Sequence, residues 1–353
     1  MTIQQLLQYV VTKKASDLHV VVGSPPMVRI DGGLKPMPGE PVISAADAGR
    51  YMAEVMTGEQ KQMFEVNKEI DFSFQMEQAR FRVNAYVQKG VPAGSFRLVP
   101  LTIPTMEELG LPKVVREFAQ LKQGFVLITG PTGQGKSTTL ASILQEINKT
   151  RPEHIVTIED PIEYVYIPDR AIISQREMHN DTHSWNVALR SVLREDPDVV
   201  LVGEMRDLET ISSALTIAET GHLVFATLHT NSAAQTVDRI VDVFPQNQQP
   251  QVKLQLSSTL EAVFSQRLVS KVGGGRVLAY EIMIGTTAVR TAIREGRTHM
   301  IDNIIMTSAE YGMASLDSSL ENLVESGLVA EDVARVYLSQ SGNSGRIVKE
   351  GNV

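Results

Sequence analysis

The chain has 353 residues, 42% of them hydrophobic, and a formal net charge of −8. That length predicts about two domains with real cores, and the acidic balance disfavours an electrostatic grip on nucleic acid, which needs a basic surface to neutralise phosphates. The sequence contains no cysteine, which excludes disulfides and thiolate metal sites and fits the cytosol.

The first run, MTIQQLLQYVVTKK, carries its charges after its apolar residues, the reverse of a secretory signal, and reads as an amphipathic helix. No apolar stretch approaches the ~20 residues needed to cross a bilayer, so the chain is expected to be soluble and to meet a membrane only through partners. DLHVVVG then reads as a strand, and MVRIDGGLKPM as two short strands around a Gly-Gly turn. Helical patterns follow near Ala45–Met56 and Gly58–Val66. IDFSF, ARFRVNAYV and SFRLV alternate with period two, so residues 1–99 are expected to form a small α+β domain. In ARFRVNAYV, Arg80, Arg82 and Asn84 share one face while Phe81, Val83 and Ala85 take the other; Arg97 repeats the logic opposite Phe96 and Leu98. Exposed arginines on a hairpin usually just solvate it. Their sharper reading is as arginine fingers, since a planar, permanently charged guanidinium suits γ-phosphate charge. Spacing does not choose between delivery in cis and delivery by a neighbouring subunit.

VPLTIPTMEELGLP carries three prolines and a turn, which places an interdomain linker over 100–113. From about Val114, strands and helices alternate as βα units do, predicting a mainly parallel sheet. After the apolar run FVLI, residues 129–139 read TGPTGQGKSTT, so that Gly130, Gly135, Lys136 and Ser137 fall in the spacing G-x-x-x-x-G-K-S. Glycines let consecutive backbone N–H groups point inward at phosphate oxygens, and a helix N-terminus adds its positive end. Gly130, Pro131, Thr132, Gly133, Gln134, Gly135 and Thr138 complete the cradle; Lys136 reaches the β- and γ-phosphates and the Ser137 hydroxyl ligates Mg²⁺. The segment is a nucleotide site.

IVTIEDPIEY places Glu159, Asp160 and Glu163 where an apolar strand gives out, the usual place for a site in a parallel sheet. These carboxylates could hold Mg²⁺ or orient the attacking water; read alone, the run is as easily a solvated loop that opens a helix. DPDVVLVGEMRDLET has the same form: VVLV reads as a strand buried on both faces and ends in Gly203-Glu204. Glu204 at a strand tip can polarise the lytic water, while the aspartate usual in such a strand is replaced by Gly203, which leaves metal binding to Ser137 and the 159–163 group. Asp207 to Glu209 read as a cap of the next helix. In TGHLVFATLHT, His222 and His229 flank another buried strand at a separation that points them to opposite faces, which disfavours a shared zinc site. From about Thr286 the chain reads as mostly helical, and SGNSGRIVKEGNV as a frayed end.

Together these segments resemble the secretion-ATPase superfamily of hexameric motors, and within it the twitching-motility retraction ATPases of type IV pili, over nearly the whole chain. ASDLHV resembles that family's N-terminal signature, GPTGQGKSTT its Walker A box, TIEDPIEY its Asp box, GEMRDLET its Walker B box and TGHLVFATLHT its His box; AIREGR resembles the C-terminal motif associated with retraction. The resemblance implies an α/β fold: a RecA-like P-loop ATPase core over 114–285 with a C-terminal helical extension over 286–353, preceded by a smaller α+β PAS-like domain over 1–99. It implies ATP and Mg²⁺ as cofactors, Glu204 as the catalytic carboxylate, Glu163 assisting at the metal or water, Arg82 and Arg97 as fingers, and His222 and His229 linking nucleotide state to domain position. It further implies a homohexamer in the cytoplasm, peripheral at the inner-membrane pilus base, with a platform protein and a paralogous retraction ATPase as partners. Gln134 stands where many members have serine, with little consequence expected because only its backbone would touch phosphate. Pilus-extension and type II secretion motors carry an extra N-terminal domain and a four-cysteine metal motif, neither of which this chain shows; the accessory retraction paralogue and a nucleotide-gated scaffold at the pilus base are the other readings.

Overall fold

A computed structural model of the chain describes residues 1–30, 33–76, 79–99 and 102–338. The Gly32 of the expected Gly-Gly turn, the start of the expected linker at 100 and 101, and the run from 341 expected to fray lie outside the described residues. The chain divides into two compact units, one comprising Met1–Thr102 with Pro161–Tyr166 and Glu177–Asp181, the other comprising Ile103–Asp160, Ile167–Arg176 and the chain from Thr182.

The first unit opens with α1 (Ile3–Thr12), started by a reciprocal Thr2–Gln5 capping box that satisfies donors the first turn would otherwise leave open. Then come β1 (Asp17–Val20), β2 (Met27–Ile30), β3 (Gly33–Pro36), α2 (Ala45–Val55), α3 (Gly58–Asn67), β4 (Glu69–Met76), β5 (Ala79–Gln88) and β6 (Val91–Val99). The strands form one sheet in the order β3-β2-β1-β6-β5-β4, antiparallel throughout. Register aligns an apolar row, Val28, Leu18, Phe96, Val83 and Phe72, across five strands, and all five are buried. The next row, one residue along, carries the opposite face: Arg29, Asp17, Arg97, Arg82 and Ser73.

The second unit contains α4 (Val114–Phe118), β7 (Gly124–Thr129), α5 (Lys136–Thr150), β8 (His154–Glu159), β9 (Ile172–Glu177), α6 (Trp185–Val192), β10 (Val199–Val202), α7 (Leu208–Glu219), β11 (Leu223–Leu228), α8 (Ala233–Asp242), α9 (Gln249–Thr259), β12 (Leu260–Ser270), β13 (Arg276–Ile284), α10 (Thr287–Glu295), α11 (Ile301–Thr307), α12 (Leu316–Glu325) and α13 (Glu331–Leu338). Its sheet runs β13-β12-β7-β11-β10-β8-β9. The five strands from β12 to β8 are parallel and β13 is antiparallel at the edge. Every residue of β7, β10 and β11 is buried, which is why their sequences are apolar runs without alternation. Connections leave β7 toward β8 on one side and return to β12 on the other, so the carboxyl end of β7 lies at a topological switch point, where ligands bind in open α/β sheets.

The stretch from Ile103 to Pro112, expected as linker, belongs to the second unit. Its prolines interrupt helix formation without freeing the segment, because Met106 is buried and the Leu111 N–H donates to its carbonyl at 3.0 Å. At the far end, Leu320, Ala334 and Leu338 of the C-terminal helices and Val329 between α12 and α13 cover Val269 and Ala279 of the β12–β13 hairpin. Beside them lies a cavity of about 220 Å³ lined by Arg267, Glu281, Asp302, Asp317 and Tyr337 among others.

Burial pushes the Glu281 carboxyl up to about 7, with Asp302 and Asp317 adding to the effect, against an opposing hydrogen bond from the Ala233 N–H and the charge of Arg267. The folded chain therefore binds this proton more tightly than the unfolded chain, and stability falls as pH rises from about 4.5 to about 7. Glu281→Gln keeps an oxygen for the Ala233 N–H and removes the titration. It is expected to match wild type at pH 5 and to exceed it by about 1–3 kcal/mol at pH 8, measured from denaturation midpoints at the two pH values.

Candidate functional site

The site grows from the end of β7. Thr129 Oγ1 lies 2.6 Å from Ser265 Oγ of β12, and the chain then turns at Gly130 with φ +138°. A Cβ there would stand 2.5 Å from the Gln266 carbonyl oxygen, so only glycine lets the two backbones approach. Gly133 and Gly135 also take positive φ, +77° and +83°. Gly135 is the N-cap of α5 and offers no side-chain acceptor, leaving the first turn of a 15-residue helix to face an anion. Lys136 is buried with its ammonium 2.8 Å from the Gly130 carbonyl and 3.0 Å from that of Pro131. Ser137 and Thr138 follow, half-buried, on the same turn. A glycine-built cradle, an uncapped helix start and a buried cation fit the phosphates of a nucleotide.

β10 delivers the acid. Its end is held tightly: the Gly203 N–H donates to Ile158 O at 2.8 Å, and a Cβ on Gly203 would stand 3.1 Å from that oxygen and 3.2 Å from the Glu159 Cα. Glycine at 203 thus lets β10 close against β8 where an aspartate would crowd it. Thr227 Oγ1 donates to Gly203 O at 2.5 Å and the Met205 N–H donates to Thr227 O at 3.1 Å, tying the Glu204 backbone to β11. The Glu204 carboxylate meets Arg206 Nη2 at 2.8 Å and His229 Nε2 at 3.3 Å. The other nitrogen of His229 lies 3.4 Å from both Lys136 Nζ and Thr132 Oγ1. Since an ammonium can only donate, a neutral ring with its proton on Nε2 accepts from Lys136 and donates to Glu204. Burial alone would raise the Glu204 pKa, but the Arg206 hydrogen bond and charge, with His229 and Lys136 behind them, hold it below the ordinary carboxylate range. The carboxylate is ionised and poised beside the cradle.

Of the two histidines, only His229 joins this group. His222 sits before the first residue of β11, its Nδ1 3.0 Å from Thr220 Oγ1 and 3.1 Å from Ile217 O. The six residues of β11 separate the two rings by roughly 20 Å. The expectation of one acidic group from Glu159, Asp160 and Glu163 is also corrected. Glu159 is buried and accepts from Thr157 Oγ1 at 2.7 Å and Gln175 Nε2 at 3.3 Å, because i and i+2 on a strand share a face. Glu163 is exposed and belongs to the first unit, whereas Asp160 closes a segment of the second. Among the described residues no three His, Asp or Glu side chains gather as a metal cluster. Ser137 remains the hydroxyl suited to Mg²⁺, an ion that keeps most of its water and needs few protein ligands beside nucleotide phosphates.

Within the first unit, Arg97 Nε donates to Asp17 Oδ1 at 2.9 Å while its side chain stays 70% exposed. Burial would raise the Asp17 pKa, but hydrogen bonds from Ser16 and Arg97 hold it low. Arg82 lies directly opposite Arg97 in register and is exposed. Two like charges in such a pair are destabilising; the Asp17 carboxylate offsets Arg97, and an anion beside Arg82 would relieve the pair further. Arg80, on the same face by sequence, is spent differently: its Nη2 donates at 2.8 Å to Glu177 Oε2, a buried carboxylate that also accepts from Ser73 Oγ at 2.7 Å and the Ile162 N–H at 3.0 Å. Sequence reasoning passed over Glu177, and also over Gln266 and Arg267, two polar residues buried within β12. The signal for the latter pair is the break that QR makes in an apolar strand, since buried polar groups need a reason.

Removing Arg206 takes away the main influence lowering the Glu204 pKa. Arg206→Ala is expected to shift the acidic limb of the hydrolysis pH profile to higher pH, with the plateau above it retained. Gly130→Ala, which drives a Cβ into the Gln266 carbonyl, is expected to abolish nucleotide binding while thermal unfolding stays cooperative, read by titration with a fluorescent ADP.

The family model described as type II/IV secretion system protein matches residues 1–325. The chain is 49% identical over 336 residues to the type IV pilus retraction ATPase PilT of Pseudomonas aeruginosa, covering 95% of this chain and 97% of that one. It is 49% identical over 312 residues to a twitching motility protein of Neisseria gonorrhoeae, covering 88% and 83%. Among solved structures it is similar to the crystal structure of the pilus retraction motor PilT with bound ADP, at 45% identity and a TM-score of 0.89, covering 96% of this chain and 97% of that one. With a family match across most of its length and relatives this similar, the chain belongs to the type II/IV secretion system protein family.

Proposed function

We propose that this chain is the motor ATPase of type IV pilus retraction, converting ATP hydrolysis into the disassembly of a pilus and so into twitching motility. The observation that carries the enzymatic part is the continuous contact from Lys136 in the P-loop through His229 to Glu204. The direction of work is supported by the similarity to proteins named for retraction and twitching.

Bound ATP with Mg²⁺ supplies the γ-phosphoryl group whose transfer to water releases the energy. Lys136, now held by two loop carbonyls, would bind phosphate oxygens, the backbone of Gly130–Thr138 would orient them, and the Ser137 hydroxyl would hold Mg²⁺. Glu204 orients the attacking water and takes its proton at a carboxylate oxygen. His229 ties that carboxylate to Lys136, so displacement of the ammonium is felt at the base. Arg82 and Arg97, from this or a neighbouring subunit, are the cations proposed to sense the terminal phosphate. Glu163 is proposed to assist at the metal or water, and His222 to couple indirectly. The working assembly is proposed as a homohexamer in the cytoplasm at the inner-membrane base of the pilus, acting on a platform protein, with a paralogous retraction ATPase beside it. No helix among the described residues is long and apolar enough to cross a membrane.

Glu204→Gln is expected to bind ADP as wild type does and to lose about 10²–10⁴-fold in kcat, measured by steady-state phosphate release. Retention of wild-type turnover would remove Glu204 from the mechanism. Deletion of the gene in its host is expected to give hyperpiliated cells that do not twitch; bald cells would assign the chain to extension instead.

A further inference from the structure

We infer that Gln134 and Gln266 form a clamp that holds the P-loop in its phosphate-binding shape, which makes Gln134 a positioning residue for nucleotide affinity. The inference rests on the reading of this loop as a nucleotide site.

The clamp is reciprocal. The Gln134 side chain accepts from the Leu268 N–H, Oε1 to N 2.5 Å, while the Gln266 side chain donates to the Gln134 carbonyl, Nε2 to O 2.6 Å. Each glutamine thus uses its side chain on the other's strand or loop, and both bonds reach the tip of the loop. A third donor, Arg276 Nη1 of β13, reaches the neighbouring Gly133 carbonyl at 3.2 Å. At the base of the loop the Gln266 carbonyl is the group against which Gly130 packs. One short piece of β12, Gln266–Leu268, therefore holds the cradle at both ends.

Gln266 shows why this is more than packing. It is 1% exposed, and its Oε1 is buried with no hydrogen-bond partner among the described residues. Turning the carboxamide over would set oxygen against the Gln134 carbonyl, so the donor end is committed to the loop and the acceptor end is left orphaned. A stability-driven choice at this place in a buried strand would be an apolar residue. The loop it restrains has three glycines at positive φ, a backbone with wide freedom when unrestrained. If the cradle shape were only partly populated, apparent nucleotide affinity would fall by that fraction. The clamp therefore acts on binding of ground and transition states alike, leaving the chemical step unchanged.

The test uses the full chain as wild type, Gln134→Ala, Gln266→Leu, the double variant and Arg276→Ala, with fluorescent ADP titrations and steady-state ATPase kinetics. Gln134→Ala and Gln266→Leu are each expected to weaken ADP binding and raise KM about 5- to 10-fold, with kcat within about twofold of wild type. The double variant is expected to be no more than about twofold worse than either single, since the two act as one unit. Gln266→Leu is expected to leave the melting temperature of nucleotide-free protein equal or higher, so that affinity and stability move independently. Arg276→Ala, at an exposed position, is expected to weaken ADP binding about 2- to 3-fold in the same direction. ADP affinity and KM within twofold of wild type in Gln134→Ala would overturn the clamp, as would a loss confined to kcat. Wild-type protein that bound no ADP would instead remove the nucleotide-site reading beneath it.

Discussion

Where β7 gives way to the P-loop, two backbones come closer than any side chain permits, and this contact between Gly130 and the Gln266 carbonyl organises the site. It is possible because β7 lies between β12 and β11 in one parallel sheet, with Thr129 opposite Ser265 on one side and Leu228 on the other. The loop that leaves β7 is then bracketed by β12, which supports its backbone, and by the end of β11, which brings His229 over Lys136. β10, the next strand out, ends at Val202, two residues before Glu204. The positions of the loop, of Glu204 and of the imidazole between them thus follow from strand order and from two glycine-permitted approaches, at Gly130 and Gly203.

The site runs from the Lys136 ammonium through a neutral imidazole to the Glu204 carboxylate and the Arg206 guanidinium. Each cation near Glu204 favours its ionised form and in doing so lowers its appetite for a proton. The resting arrangement is therefore that of a carboxylate ready to orient water and reluctant to deprotonate it. Any movement that draws Arg206 or Lys136 aside strengthens the base. In the proposed mechanism substrate phosphates would compete for Lys136 by their own charge, which would link the arrival of nucleotide to the basicity of Glu204 through electrostatics.

Much of this was legible in the sequence because the relevant signals are local. The P-loop spacing, the apolar runs of β7, β10 and β11 and the acid at the tip of VVLV are each written in consecutive residues. Glycine at 203 could be noticed but not understood until β8 was seen against it. The acidic residues 159–163 read as one group because sequence gives their proximity and hides their direction; Glu159 turns into the sheet and Glu163 belongs to the other unit. Arg80 and Arg82 look equivalent at i and i+2, yet only Arg80 meets Glu177, nearly a hundred residues on. Gln134 was read through its backbone because a P-loop motif describes phosphate contacts. What its side chain does depends on Leu268, and no local pattern encodes a partner that distant.

The Glu177 carboxylate has a further bearing on how this chain can be divided. Segments 161–166 and 177–181 leave the second unit to complete the first, and they bring the buried acid that Arg80, Ser73 and the Ile162 amide all address. A fragment ending at Thr102 would encode a sheet whose interior cation had lost its counter-ion. The amino-terminal unit is therefore discontinuous in sequence: two short peptides from the stretch between β8 and α6 supply contacts that its own first hundred residues leave open.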